Sequence, residues 1–132
     1  MERVQFTTFA KSLFFTCAFT KEEQERISLS ENKDPKSNTT DRVFLLNFDE
    51  AEHYFNFENR AAKVTHFAQK QGAWSLDEYG VWWLRYSGSE DMLAEGELDG
   101  ISCVNFDGYI EESACEPTNS ICSVRPVIWL KR

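Results

Sequence analysis

Val81-Trp82-Trp83-Leu84-Arg85-Tyr86-Ser87-Gly88 is answered near the end of the chain by Ser123-Val124-Arg125-Pro126-Val127-Ile128-Trp129-Leu130. Both runs are apolar and aromatic, and each carries a single arginine in its middle. Each reads as a strand buried on at least one face, and a cation in such a strand needs a partner or a polar pocket. The expectation is that Trp82 to Tyr86 and Ser123 to Leu130 share one antiparallel sheet. Between them, Ser102 to Phe106 and Tyr109 to Glu112 are joined by Asp107-Gly108, a dipeptide that tolerates the positive φ of a tight hairpin turn.

Upstream the period changes from two to that of a helix. Phe9, Leu13 and Cys17 fall at helical spacing with Ala10, Phe14 and Ala18 beside them, so Cys17 reads as a small buried apolar residue. Thr20 with Glu23 predicts a capping box opening a helix over Lys21 to Ile27. Asn47 with Glu50 predicts another, carrying Ala51, Tyr54 and Phe55 inward. A further helix is expected over Thr65 to Gln71, with Gly72 just past its end. Val4 and Phe6 suggest a short first strand, and Val43 to Leu46 a buried one. Ser30 to Asp41 has no apolar residue and contains a proline, so an exposed loop is expected. Helices followed by an antiparallel meander make an α+β layout, read as one domain over residues 1–132.

Composition narrows the function classes. A chain of 132 residues with 11 Phe, 4 Trp and 4 Tyr is suited to a packed core. Its net charge of -8 argues against a nucleic-acid partner. The four cysteines form no Cys-x-x-Cys pair and only His53 and His66 could assist them, so no metal or other cofactor is expected. Cys115 and Cys122 flank one loop and would bridge only in an oxidising compartment; the redox state of Cys103 is open as well. Neither a secretory signal nor a run of the ~20 apolar residues needed to cross a bilayer is visible, so a soluble chain, cytoplasmic by default, is the expectation.

Six ordered motifs carry a resemblance to a known family. WWLRYSG (Trp82 to Gly88), VNFDG (Val104 to Gly108) and SVRPVIWL (Ser123 to Leu130) resemble the WWLRSPG, VNSDG and GVRPALWL signature of a bacterial domain-of-unknown-function family numbered 6273. AFTKEEQERI (Ala18 to Ile27) and DRVFLLNFDEAEHYF (Asp41 to Phe55) are similar to its AFTEEE and DKVFLLSxxEAxxYF segments, and AQKQG (Ala68 to Gly72) to its AKAQG. The resemblance spans Phe9 to Lys131. It implies a C-type-lectin-like fold related to the domain of formylglycine-generating enzymes, and no established activity. The chain departs from the pattern at Phe9-Ala10-Lys11, where the family has Trp-Leu-Asn, and at Ser87. The family also has several strands before that helix, where this chain has at most Met1 to Thr8. An open sheet edge there would favour a homo-oligomer or a partner subunit, with Met1 to Phe9 at the contact.

Several residues invite a site. Arg85 and Arg125 have the fork geometry for a ligand carboxylate; the competing and preferred reading is structural, each tied to carboxylates or backbone carbonyls within the fold. Glu90, Asp91, Glu95, Glu97 and Asp99 lack EF-hand spacing and read as a solvated loop without calcium dependence. Glu116-Pro117-Thr118-Asn119 resembles a lectin sugar motif, but a threonine interrupts it. Trp74, Tyr79, Trp82 and Tyr86 could form a carbohydrate or peptide platform. For catalysis, Gly-x-Ser-x-Gly is absent and no histidine lies near Cys115 or Cys122 in sequence. The expectation is a non-catalytic module with no catalytic residue, recognising a carbohydrate or a protein through the loops Tyr86 to Asp99 and Ser113 to Ile121. Its ligand contacts would be Trp82, Tyr86, Ser87, Asp91, Glu116 and Asn119. An enzyme derived from the formylglycine-generating lineage and a structural or assembly subunit are the alternatives.

Overall fold

The computed structural model describes residues 13–33, 38–85, 101–115 and 121–132, with the backbone alone for 113–115. The expected strand at Val4 and Phe6, the proposed contact at Met1 to Phe9, the acidic loop and the loop around Pro117 lie outside the described residues. Helices and antiparallel strands make up an α+β chain. It divides into two compact units, Met1–Phe44 with Val127–Arg132, and Leu45–Pro126. Among the described residues no helix is long and apolar enough to cross a membrane.

In the first unit, residues 13–18 form α1 and Lys21–Arg26 form α2. The capping box is present: Glu23 N–H donates to Thr20 Oγ1 at 3.3 Å and Thr20 N–H to Glu23 Oε2 at 2.8 Å. Ile27 ends the helix in extended conformation and is 1% exposed. It bridges Leu130 in antiparallel sense, flanked by Ser28 N–H to Trp129 O and Lys131 N–H to Arg26 O, both 2.8 Å. The stripe on α1 is not the expected one. Leu13 is 52% exposed and Cys17 is exposed, whereas Phe15 and Phe19 are half-buried with ring centroids 5.6 Å apart.

The polar stretch expected to be an exposed loop contains a hairpin, β1 (Ser30–Asn32) on β2 (Thr39–Asp41). Asn32 is 1% exposed because its amide has partners across the pair, Thr39 Oγ1 and Asp41 Oδ2, both at 3.4 Å. Burial followed hydrogen-bonding capacity here, not hydropathy.

The second unit opens with α3 (Phe48–Tyr54), capped as expected: Glu50 N–H donates to Asn47 Oδ1 at 2.8 Å and Asn47 N–H to Glu50 Oε2 at 2.9 Å. Ala51 is fully buried, but Tyr54 is 51% exposed and does not point inward. Then come α4 (Phe57–Arg60), which the sequence pattern did not predict, and α5 (His66–Lys70). α5 starts at Thr65, and Gly72 at φ 96° lets the chain close it, with Ala73 N–H on Ala68 O and Gly72 N–H on Gln69 O, both 3.0 Å.

Two three-stranded antiparallel sheets complete the unit. One has β3 (Ala62–Lys63) and β4 (Ser75–Leu76) on either side of β5 (Tyr79–Gly80). The other runs β6 (Trp82–Trp83), β7 (Ile101–Val104), β8 (Ile110–Cys115). Trp82, Val104 and Ile110 are paired neighbours on one buried face, and Cys103, on the opposite face, is buried as well.

The Asp107-Gly108 hairpin forms, with a three-residue loop in place of the expected two. Gly108 N–H donates to Asn105 O at 3.0 Å, Asn105 N–H to Tyr109 O at 2.7 Å, and of the pair only Gly108 has positive φ, 90°. This is a type I turn followed by a bulge.

The two opening runs are both shorter as strands than expected. After Trp83 the backbone turns away: Leu84 N–H reaches Ser102 O at 2.9 Å, and Arg85 N–H reaches Leu46 O at 2.7 Å. Ser123 to Leu130 is no single strand. Ser123 bridges Trp82 in parallel, not antiparallel, while Val127 bridges Phe44 within the first unit. Pro126 has no N–H for a ladder and stands where the run changes partners. Val43 to Leu46 likewise gives only the Phe44 bridge, although Phe44 and Leu46 are buried.

Candidate functional site

Within the second unit, β3, β5, the start of α5 and Ser123 to Pro126 enclose a cleft of about 270 Å³. Its walls are mainly apolar, from Ala62, Val64, Ala68, Val81, Val124 and Pro126. Thr65 and Ser123 bring hydroxyls, and Lys63 and Arg125 bring charge.

Arg125 is placed by the short helix next to it. Asn56 caps α4 by accepting from Asn59 N–H at 3.0 Å. A helix of four residues leaves carbonyls without helical partners at its end, and these suit a cation. Arg125 Nη1 donates to Arg60 O at 3.1 Å and to Asn59 O at 3.4 Å. The Arg60 carbonyl also accepts from Trp82 Nε1 at 3.0 Å. The guanidinium carbon lies 4.6 Å from the Phe55 ring centre and 5.0 Å from that of Trp82, close enough for cation–π attraction. Burial lowers the Arg125 pKa from its ordinary value.

The cations lining the cleft differ. Lys63 is neutralised by Glu78 at 2.8 Å, the pair raising the lysine pKa and lowering the glutamate pKa. Arg125 has no carboxylate partner among the described residues. Beside it Ser123 Oγ is buried with no hydrogen-bond partner. The Ser123 backbone is held by bonds to Val81 O at 2.7 Å and from Trp83 N–H at 3.0 Å.

The remaining expected residues are distributed elsewhere. Arg85 is held within the fold: its side chain, 12% exposed, donates to Leu45 O at 2.6 Å and pairs with Glu50 at 3.1 Å. Trp82 is 1% exposed, so it lines the cleft from below and cannot serve as an open stacking platform. Trp74 is 42% exposed and packs edge-on against Phe106. Tyr79 is half-buried beneath the Lys63 ammonium. Tyr86, Ser87, Asp91, Glu116 and Asn119 lie outside the described residues, as does the Cys115 side chain. Cys17, Cys103 and Cys122 are thiols. Among the described residues no three metal-ligating side chains converge.

Sequence pattern did not reveal Phe55, the α4 carbonyls or Ser123 as parts of the Arg125 surroundings. The cap signal at Asn56 could have revealed α4. Nothing in the sequence signals that the carbonyls of Asn59 and Arg60 meet a side chain some 65 positions later.

A family model for a domain of unknown function (DUF6273) matches residues 5–132. No curated protein and no solved structure matches the chain.

Proposed function

The chain belongs to this domain-of-unknown-function family, and within it we propose a non-catalytic recognition module whose ligand, a protein or carbohydrate group, enters the Arg125 cleft. The observation that carries this reading is a pre-formed, mostly apolar cavity with one positioned charge lacking an acidic partner among the described residues. Binding sites commonly combine apolar walls with few fixed polar groups. Among the described residues lining it there is no histidine, cysteine, aspartate or glutamate, which supports recognition over turnover. We also take the fold to be C-type-lectin-like, a reading supported by helices ahead of an antiparallel sheet and by the Arg125-Pro126 element in the last segment.

Peptide and glycan libraries screened against the wild type and Ala68→Phe test the function. Ala68 lines the cleft, and a phenyl ring there would fill it. Ligands should be retained by the wild type and lost by a variant that melts normally. Ligand binding indifferent to Ala68→Phe, or turnover of a bound ligand, would contradict the reading.

A further inference from the structure

We propose that the group recognised in the cleft is a carboxylate on a small apolar body, held by the free edge of the Arg125 guanidinium with Ser123 Oγ as an added donor. This rests on the recognition-module reading.

The guanidinium has five N–H donors in a fixed fork. Nη1 is occupied by the carbonyls of Asn59 and Arg60. Nη2 and Nε carry no hydrogen bond among the described residues, and that pair of nitrogens forms the edge that binds a carboxylate side-on. The carbonyl bonds and the Phe55 and Trp82 rings fix the fork before any ligand arrives. Pre-organisation of this kind reduces the ordering cost of binding.

Charge complementarity selects the sign. The chain carries a net charge of -8, yet no carboxylate is among the described residues that line this cleft. Lys63 is already paired, which leaves one positive charge for the ligand to match. A single uncompensated charge suits a monoanion better than a phosphate dianion. The Ser123 hydroxyl is buried and unpartnered, and a turn of its side chain toward the cleft would let a ligand oxygen satisfy it.

The apolar walls set the rest of the molecule. A sugar ring needs many hydrogen-bond partners, and Ala62, Val64, Ala68, Val81 and Val124 offer none from their side chains. At ~30 Å³ per water, about nine waters fill the volume, room for a carboxylate and an apolar body of about six non-hydrogen atoms. A peptide ending in an apolar residue and a free aliphatic acid both present this chemistry.

Calorimetric titration of the full chain with pentanoate and pentanamide, and with N-acetyl-glycyl-valine as acid and as amide, tests it. Each acid that binds should do so at least about tenfold more tightly than its amide. That ratio should fall below about threefold in Arg125→Lys, which keeps charge but loses the fork, and in Ser123→Ala. If Arg125→Lys melts early, Ser123→Ala carries the comparison. Binding of the peptide acid alone identifies a chain terminus as the source; comparable binding of pentanoate identifies a free acid. Either supports the proposal. Equal binding of acid and amide, or a ratio unchanged in both variants, overturns it. Library ligands that are lost in Ala68→Phe yet indifferent to amidation would leave the module reading standing and remove the carboxylate. Failure of the acids together with no cleft-dependent library ligand would remove both.

Discussion

Glu50 Oε2 accepts from Asn47 N–H at 2.9 Å and from Arg85 Nη1 at 3.1 Å, so one carboxylate oxygen both closes the cap of α3 and holds the cation that follows β6. The arginine therefore does not need a ligand. Its charge is met inside the second unit, together with the Leu45 carbonyl.

Loss of this node should be costly and cooperative. Asn47→Ala removes the cap acceptor and should cost about 1 kcal/mol. Glu50→Ala removes the cap's second half and the Glu50 carboxylate that pairs with Arg85. We expect about 2–3 kcal/mol, below the ~3–5 typical of a fully buried pair because Glu50 is partly exposed. Urea denaturation of Glu50→Ala, Arg85→Met and the double variant should reveal a coupling of at least about 1 kcal/mol. Additive losses would mean the ion pair contributes nothing.

Arg125 should behave differently, since carbonyls and rings hold it and no carboxylate among the described residues does. Among the described residues Arg125→Met leaves no buried acid behind. The expected loss is about 1.5–3 kcal/mol, the range for hydrogen bonds to a charged group. A loss well above that in thermal or urea unfolding would point to an acid in contact with it.

Gly108 and Gly72 test backbone against contact. Both have positive φ, 90° and 96°. A Cβ at Gly108 would run into the Phe57 carbonyl oxygen, whereas one at Gly72 meets nothing within 4 Å. Gly72→Ala should cost about 1 kcal/mol, the left-handed penalty alone. Gly108→Ala should cost about 2–4 kcal/mol, because the hairpin must also move off α4. Equal losses in parallel melts would show that the hairpin yields freely.

The α2 cap gives a pH signature. The Thr20 backbone N–H, then its hydroxyl, lowers the Glu23 pKa. A carboxyl with a depressed folded-state pKa stabilises the fold fully above its unfolded value, ~4.3, and that stability is lost as pH falls through the folded value. Carboxyl-detected NMR titration should place Glu23 below an ordinary glutamate, with a partial rise in Thr20→Ala, which keeps the backbone bond. No rise would assign the whole shift to that bond.

The amino-acid sequence by itself determined the local features. The boxes at Thr20 and Asn47, the Thr65 start with the Gly72 close, and the Asp107-Gly108 hairpin each depend on contacts within a few residues. Side-chain oxygens and glycine φ preferences decide such features without help from the rest of the chain. The α+β order followed from them.

What tertiary structure alone decided is the partner of each apolar run and the surroundings of each charge. Hydropathy marked Val43 to Leu46 and Ser123 to Leu130 as buried; Phe44 and Leu46 are, but Val124, Trp129 and Leu130 are exposed, and no run states which edge it pairs with or for how many residues. The latter run divides its bonds, with Ser123 beside Trp82 and Val127 beside Phe44. The two arginines looked alike in sequence. One met Glu50 and the other met the open carbonyls at the end of a four-residue helix, and only the three-dimensional path of the chain could separate them. Pairing between distant positions depends on geometry that no local pattern encodes. The Arg125 cleft, made from segments around 62–68, 80–82 and 123–126, is a product of that geometry.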